Sequence, residues 1–77
     1  MDLKQILTDI ARAIVDTPDA VNVVENVDGD NVELVLTVAE DDTGMVIGRH
    51  GRIAKAIRQV MKAAANNCGK HVTVEIK

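Results

Sequence analysis

The sequence contains no phenylalanine, tyrosine or tryptophan, and only one cysteine and one proline. Each shortage excludes something. Without aromatic rings the chain cannot stack bases as RRM sheets and OB-folds do, so those nucleic-acid-binding folds fall away. A lone cysteine, Cys68, rules out an intramolecular disulfide. Cys68 and His71 are three apart but have no second ligand pair, so a structural zinc site is not expected. Apolar runs are only a few residues long and no leader or transit pattern is visible, so neither a membrane span nor secretion is expected. The expectation is a soluble, cytoplasmic protein. A catalytic constellation is missing as well. Asp41 and Asp42 are adjacent acids that suit a loop or a helix cap better than acid–base work. The glycines form neither a Walker loop, for want of Gly-Lys-Ser/Thr, nor a Gly-x-Gly-x-x-Gly dinucleotide turn. No nucleophile–base constellation is visible, so neither an enzyme nor a cofactor is expected.

What remains is aliphatic and charged. The chain has 77 residues, 47% of them apolar, which makes one small domain near the lower size limit for folding without staples. Its stability must come from a compact aliphatic core, helped by self-association. The net charge is −3 and the isoelectric point about 5.2, which taken alone argues against a polyanion partner. The distribution says otherwise. Residues 1–42 carry eleven acids and two bases, a net −9, whereas residues 43–77 carry seven bases and one acid, a net +6. A chain divided in this way can offer one basic face to a polyanion while its acidic remainder repels non-specific contact. Mutual attraction of the two halves is the plainer alternative.

Periodicity gives the element order. Leu3, Ile6, Leu7, Ile10 and Ile14 fall at helical spacing, with Asp2 as a possible N-cap, and Thr17-Pro18-Asp19 closes this first helix. Val21, Val23, Val24 and Val27 suggest a strand, Asp28-Gly29-Asp30-Asn31 a hairpin turn, and Val32, Leu34, Leu36 and Val38 a second strand with one buried face. A very short helix is predicted over Thr43 to Ile47 and a long one over about Arg52 to Asn66, ended by Gly69 or an asparagine. His71 to Ile76 is the last strand. After a two-helix crossover it can lie parallel to the second strand. The predicted class is α+β, ordered α-β-β-α-α-β, with a three-stranded mixed sheet and all three helices on one face.

The long helix carries more apolar surface than one sheet needs. Its apolar residues, from Ile53 and Ala54 to Ala64 and Ala65, span an arc of roughly 180° at about 100° per residue, against a stripe of about 100° for a helix packed on a sheet. The surplus can cover the first helix. It can also form a self-association surface, with Met61, Ala54 and Ala65 on its margin.

The turn before that helix is the most informative stretch. Val46-Ile47-Gly48-Arg49-His50-Gly51-Arg52 places two cation-capable residues between glycines three apart, and Arg52, Lys55, Arg58 and Lys62 follow. Spacing alone proves little, since with glycine at about 7% of residues roughly one chain in three of this length contains such a pair by chance. The setting is what distinguishes it: an aliphatic entry, a basic amphipathic exit, and no acid between Asp42 and Glu75.

With the element order, this segment closely resembles the signature of type II KH domains, and Gly51 to Arg58 resembles the KhpA family of small bacterial single-KH-domain proteins. The resemblance implies one KH domain over residues 1–77 and sequence-tolerant binding of single-stranded RNA, about four nucleotides per groove. It also implies homodimers, a larger KH-containing partner of the Jag type, and a role in post-transcriptional control linked to cell elongation and division. In that reading Gly48 and Gly51 admit the RNA backbone, and Arg49 and His50 face phosphates. Arg52 and Lys55 add phosphate contacts, and Ile47 forms the apolar floor under the bases, with Val46 its core partner. Ile47 could equally be plain core. Arg58 and Lys62 read as a solvated face. His50 stands where lysine or glutamine is commoner, and a histidine makes the clamp's charge depend on pH. A KH groove can receive bases on aliphatic side chains, so the missing aromatics do not oppose this reading. The alternative is a protein-interaction module on the same scaffold, with RNA binding weak or lost.

Overall fold

The computed structural model describes residues 2–77. The elements are α1 (Leu3–Ile14), β1 (Asn22–Asp28), β2 (Asn31–Thr37), α2 (Thr43–Ile47), α3 (Arg52–Asn67) and β3 (His71–Ile76). Short 3-10 turns at Pro18–Ala20, Glu40–Asp42 and Arg49–Gly51 join them. The order is the expected α-β-β-α-α-β. In the sheet, β2 is central, antiparallel to β1 and parallel to β3. The α2–α3 crossover permits that parallel return.

Local chemistry explains the boundaries. Asp2 caps α1, its Oδ1 accepting the Gln5 N–H at 3.1 Å. The helix stops at Ile14, earlier than the Thr17-Pro18 signal suggests, because Val15 turns to extended backbone and enters the core. The β1–β2 hairpin has a two-residue turn, Gly29-Asp30, with positive φ only at Gly29, as a type II′ turn requires. The end of α3 is a Schellman motif: Lys70 N–H donates to the Ala65 carbonyl at 2.9 Å and Gly69 N–H to the Asn66 carbonyl at 3.2 Å, with Gly69 at φ 68°. The next residue, His71, donates its N–H to the Asp30 carbonyl at 2.8 Å, which sets the start of β3 beside the hairpin.

The core lies between the sheet and the helices. Val32, Leu34 and Leu36 of β2 face it, flanked by Val23 of β1 and Val74 of β3. Leu3, Leu7 and Ala11 form the buried line of α1, with Ile6, Ile10 and Ile14 partly covered beside it. Ile10 and Ile14 fall at the α1–α3 seam rather than inside. The buried line of α3 is Ala54, Ile57, Met61 and Ala65. Met61 is completely buried, so the self-association margin expected at Met61, Ala54 and Ala65 is incorrect. These residues are core, and the surplus apolar surface lies on the other edge of α3.

Candidate nucleic-acid interface

Sequence-local geometry builds the turn between α2 and α3. Gly48 ends α2 by donating its N–H to the Gly44 carbonyl at 2.8 Å, then leaves helical space with φ 75° and ψ 173°. Only glycine adopts that backbone without strain. Packing adds a second requirement. A Cβ on Gly48 would lie 2.6 Å from Ile53 Cγ1 and 3.0 Å from Ile53 Cβ and Cδ1. Gly51 differs: it is left-handed at φ 73° and ψ 16°, but a Cβ there would meet nothing within 4 Å. His50 is also left-handed, at φ 57° and ψ 25°, a conformation that disfavours a residue with a side chain by about 1 kcal/mol. Two further backbone bonds close the turn: Gly51 N–H donates to the Gly48 carbonyl at 3.1 Å, and Arg52 N–H to the Arg49 carbonyl.

The turn delivers the chain into the N-terminus of α3. Gly51 stands at the N-cap and supplies no side-chain acceptor; the Arg52 N–H donates back to the Arg49 carbonyl, and the next N–H groups of this 16-residue helix have no side-chain cap. Arg49 and His50 on the turn, with Arg52 and Lys55 on the first helical turn, are all exposed. Among the described residues the single ion pair is Lys70–Asp30 at 3.8 Å, so none of these four side chains is paired. None of the side chains in residues 43–57 makes a hydrogen bond to another described residue. The acid nearest in sequence, Asp42, is buried, and its Oδ2 accepts the Thr17 N–H at 3.0 Å. That bond ties the α1–β1 connection to the start of α2, which is the loop role expected for it.

Ile47 to Arg52 are contiguous, and Lys55 lies one helical turn further along, so the sequence-derived residues share one end of the molecule. Val46 is fully buried while Ile47 is 37% exposed, which separates core partner from surface residue within one pair. Arg58 is exposed, as expected of a solvated face, but it has a partner: its Nε donates to the Val74 carbonyl at 3.1 Å and fastens α3 to β3. Lys62 is exposed, as expected. Sequence reasoning missed Met45, which is 37% exposed beside Ile47 on α2, and the contact of Ile53 with Gly48. Hydrophobicity is the only sequence signal either residue carries, and it does not distinguish surface from core.

The hairpin acids lie at the other end, whereas Glu40, Asp41 and Asp42 directly precede α2. Asp30 meets Lys70 just beyond the C-terminus of α3. At 1.5 Å per residue, the 16 residues of α3 separate the hairpin turn from the glycine turn by about 24 Å. That is more than two Debye lengths at physiological salt, so the hairpin acids are screened from the cationic end.

Beside the turn, Ile10 and Ile14 of α1 and Arg52, Ile53, Ala56, Ile57 and Val60 of α3 line an open, almost wholly apolar groove. Ile53 and Val60 are among the exposed large hydrophobic residues of the chain. No described helix is long and apolar enough to cross a membrane.

Known proteins resemble this chain in sequence and in fold. The family model for the KH domain of KhpA/KhpB matches residues 4–76. The chain is 53% identical to the RNA-binding protein KhpA of Clostridium acetobutylicum over 96% of its own length and 99% of that protein's. It is 39% identical to the RNA-binding protein KhpA of Bacillus subtilis, covering 96% of this chain and 91% of that one. Among solved structures, Aquifex aeolicus Era bound to GDP and aluminium fluoride matches 96% of this chain with a TM-score of 0.69 and 20% identity. This chain spans 29% of that Era chain, and the likeness concerns the fold alone. Matched along nearly its whole length by both the family model and its relatives, the chain belongs to the KhpA/KhpB KH-domain family.

Proposed function

We propose that the chain binds single-stranded RNA through the Gly48–Gly51 turn. It would act in the cytoplasm as a post-transcriptional regulator or RNA chaperone, together with a larger KH-containing partner of the Jag type. One observation carries the reading: four exposed, unpaired side chains of cationic type surround a glycine turn that opens onto a helix N-terminus with no side-chain cap. The names of the curated relatives supply the class of ligand. Glycine backbone at positions 48 and 51 lets a sugar-phosphate chain come close. Arg49 and His50 meet its phosphates, the α3 N–H groups add a fixed positive end, and Arg52 and Lys55 extend the track. Ile47 lies under the bases. No group in this arrangement is asked to do acid–base or nucleophilic work.

The test is a fluorescence anisotropy titration of a short single-stranded RNA at two salt concentrations, with wild type and Gly51→Asp. Position 51 is sterically open and aspartate tolerates left-handed backbone, so this variant adds a charge while sparing the fold. Expected are salt-sensitive binding by wild type and its loss in Gly51→Asp. Arg49→Gln should weaken binding and flatten the salt dependence by about 0.7 in log–log slope, the value of one phosphate contact to a single strand. Equal binding by wild type and Gly51→Asp would overturn the reading.

Self-association is the second part of the proposal, carried by the exposed line Ile53, Ala56 and Val60 on α3. Ala56 at its centre permits close helix approach, and a second copy presents the same residues, which suits a two-fold interface. Val60→Lys should give a folded monomer by sedimentation velocity. A wild type already monomeric at the same concentration would remove this part.

A further inference from the structure

Gly48, His50 and Gly51 all have positive φ, and strained backbone persists only where its surroundings over-determine it. Three backbone hydrogen bonds hold the turn, from the N–H groups of Gly48, Gly51 and Arg52 to the carbonyls of Gly44, Gly48 and Arg49, and no described side chain caps it. The side chain packed on it is Ile53, whose Cγ1, Cβ and Cδ1 all crowd the side of Gly48 where a Cβ would stand. Ile53 is itself 37% exposed, so it is not primarily a core residue. It lies beside Gly48 and also lines the α1–α3 groove.

From this contact we infer that Ile53 is a positioning residue: its β-branched side chain props Gly48 and holds the turn in the geometry that receives RNA. The inference rests on the RNA-binding reading above. β-Branching matters because it stiffens χ1 in a helix, so Cβ and Cγ1 hold a fixed wall against the glycine. Valine keeps both of those atoms and loses only Cδ1. Alanine keeps Cβ alone. Without the wall, Gly48 can sample the many conformations open to glycine, and the RNA-competent state becomes a fraction of the population. Apparent affinity falls by that fraction.

The experiment compares wild type, Ile53→Ala, Ile53→Val and Gly51→Asp in the same RNA titration. Ile53→Ala should bind about fivefold to tenfold more weakly, and Ile53→Val within about twofold of wild type. Amide hydrogen exchange supplies the positional readout. In Ile53→Ala the Gly51 amide should exchange about tenfold faster while the Met61 and Ala65 amides in mid-α3 stay protected. Both alanine and valine variants are also measured in the Val60→Lys background, which separates an effect at the turn from one through self-association. If wild type binds and Gly51→Asp does not, but Ile53→Ala binds like wild type, the prop is wrong and the RNA reading stands. Uniformly faster exchange along α3, or a loss of affinity that disappears in the Val60→Lys background, would also overturn it. No difference between wild type and Gly51→Asp would mean instead that the RNA reading itself has failed.

Discussion

The two ends of α3 are built by opposite devices. At its C-terminus, a Schellman motif satisfies the last carbonyls, Lys70 approaches Asp30, and His71 continues straight into the sheet. At its N-terminus the N–H groups have no side-chain cap, the cations have no partners, and the approaching backbone has positive φ at three of four residues. A fold that needed only stability would close both ends alike. An end without a side-chain cap, with positive-φ backbone concentrated there, suits the RNA-binding role proposed above.

That contrast can be broken by substitution. The largest effect should come from the core that joins the two ends. Met61→Glu places a charge at a fully buried position and should unfold the chain, as a lost circular dichroism helix signal, whereas Val60→Lys one residue away should stay folded. A folded Met61→Glu would mean that α3 packs differently from the arrangement described. Next come the glycines. Gly48→Ala meets both forbidden backbone and Ile53 and should lower stability by about 2–3 kcal/mol, against about 1 kcal/mol for Gly51→Ala. Thermal unfolding reads the difference, and equal losses would remove the steric part of the asymmetry. The smallest effect belongs to the hairpin end. Neutralising the hairpin with Asp28→Asn and Asp30→Asn should change RNA affinity at physiological salt by less than about twofold, because the separation exceeds the screening length. A tenfold gain would show that the acidic half opposes binding across the whole molecule.

Much of this architecture is legible in the amino-acid sequence. Alternation in Val32, Leu34 and Leu36 marks the buried strand face, and Asp28-Gly29-Asp30-Asn31 marks the hairpin. Gly69 marks the end of α3, and the short helix Thr43–Ile47 has the bounds its residues suggest. These are local signals, each carried by a few adjacent residues whose backbone preferences agree. The misleading signals concern α3. Its apolar arc is too wide for one partner, and helical periodicity cannot say which half of a wide arc meets the sheet. Met61, Ala54 and Ala65 take the core half and Ile53, Ala56 and Val60 the open half. Arg58 is exposed as its polar helix face suggests, but its bond to the Val74 carbonyl depends on a strand that arrives beside it only in the fold.

The sequence by itself determined the element order, the fold class, the place of the glycine turn and the division of charge between the two halves. All follow from short-range preferences and from composition. Tertiary structure alone decided that Gly48 is required twice over, by backbone and by Ile53, and Gly51 only once. It also decided that Asp42 is a buried staple to Thr17 and that the hairpin acids stand a helix length from the cations. Such facts depend on which surfaces meet. Docking a helix is settled by how whole faces fill space against one another, which no single stretch of chain encodes.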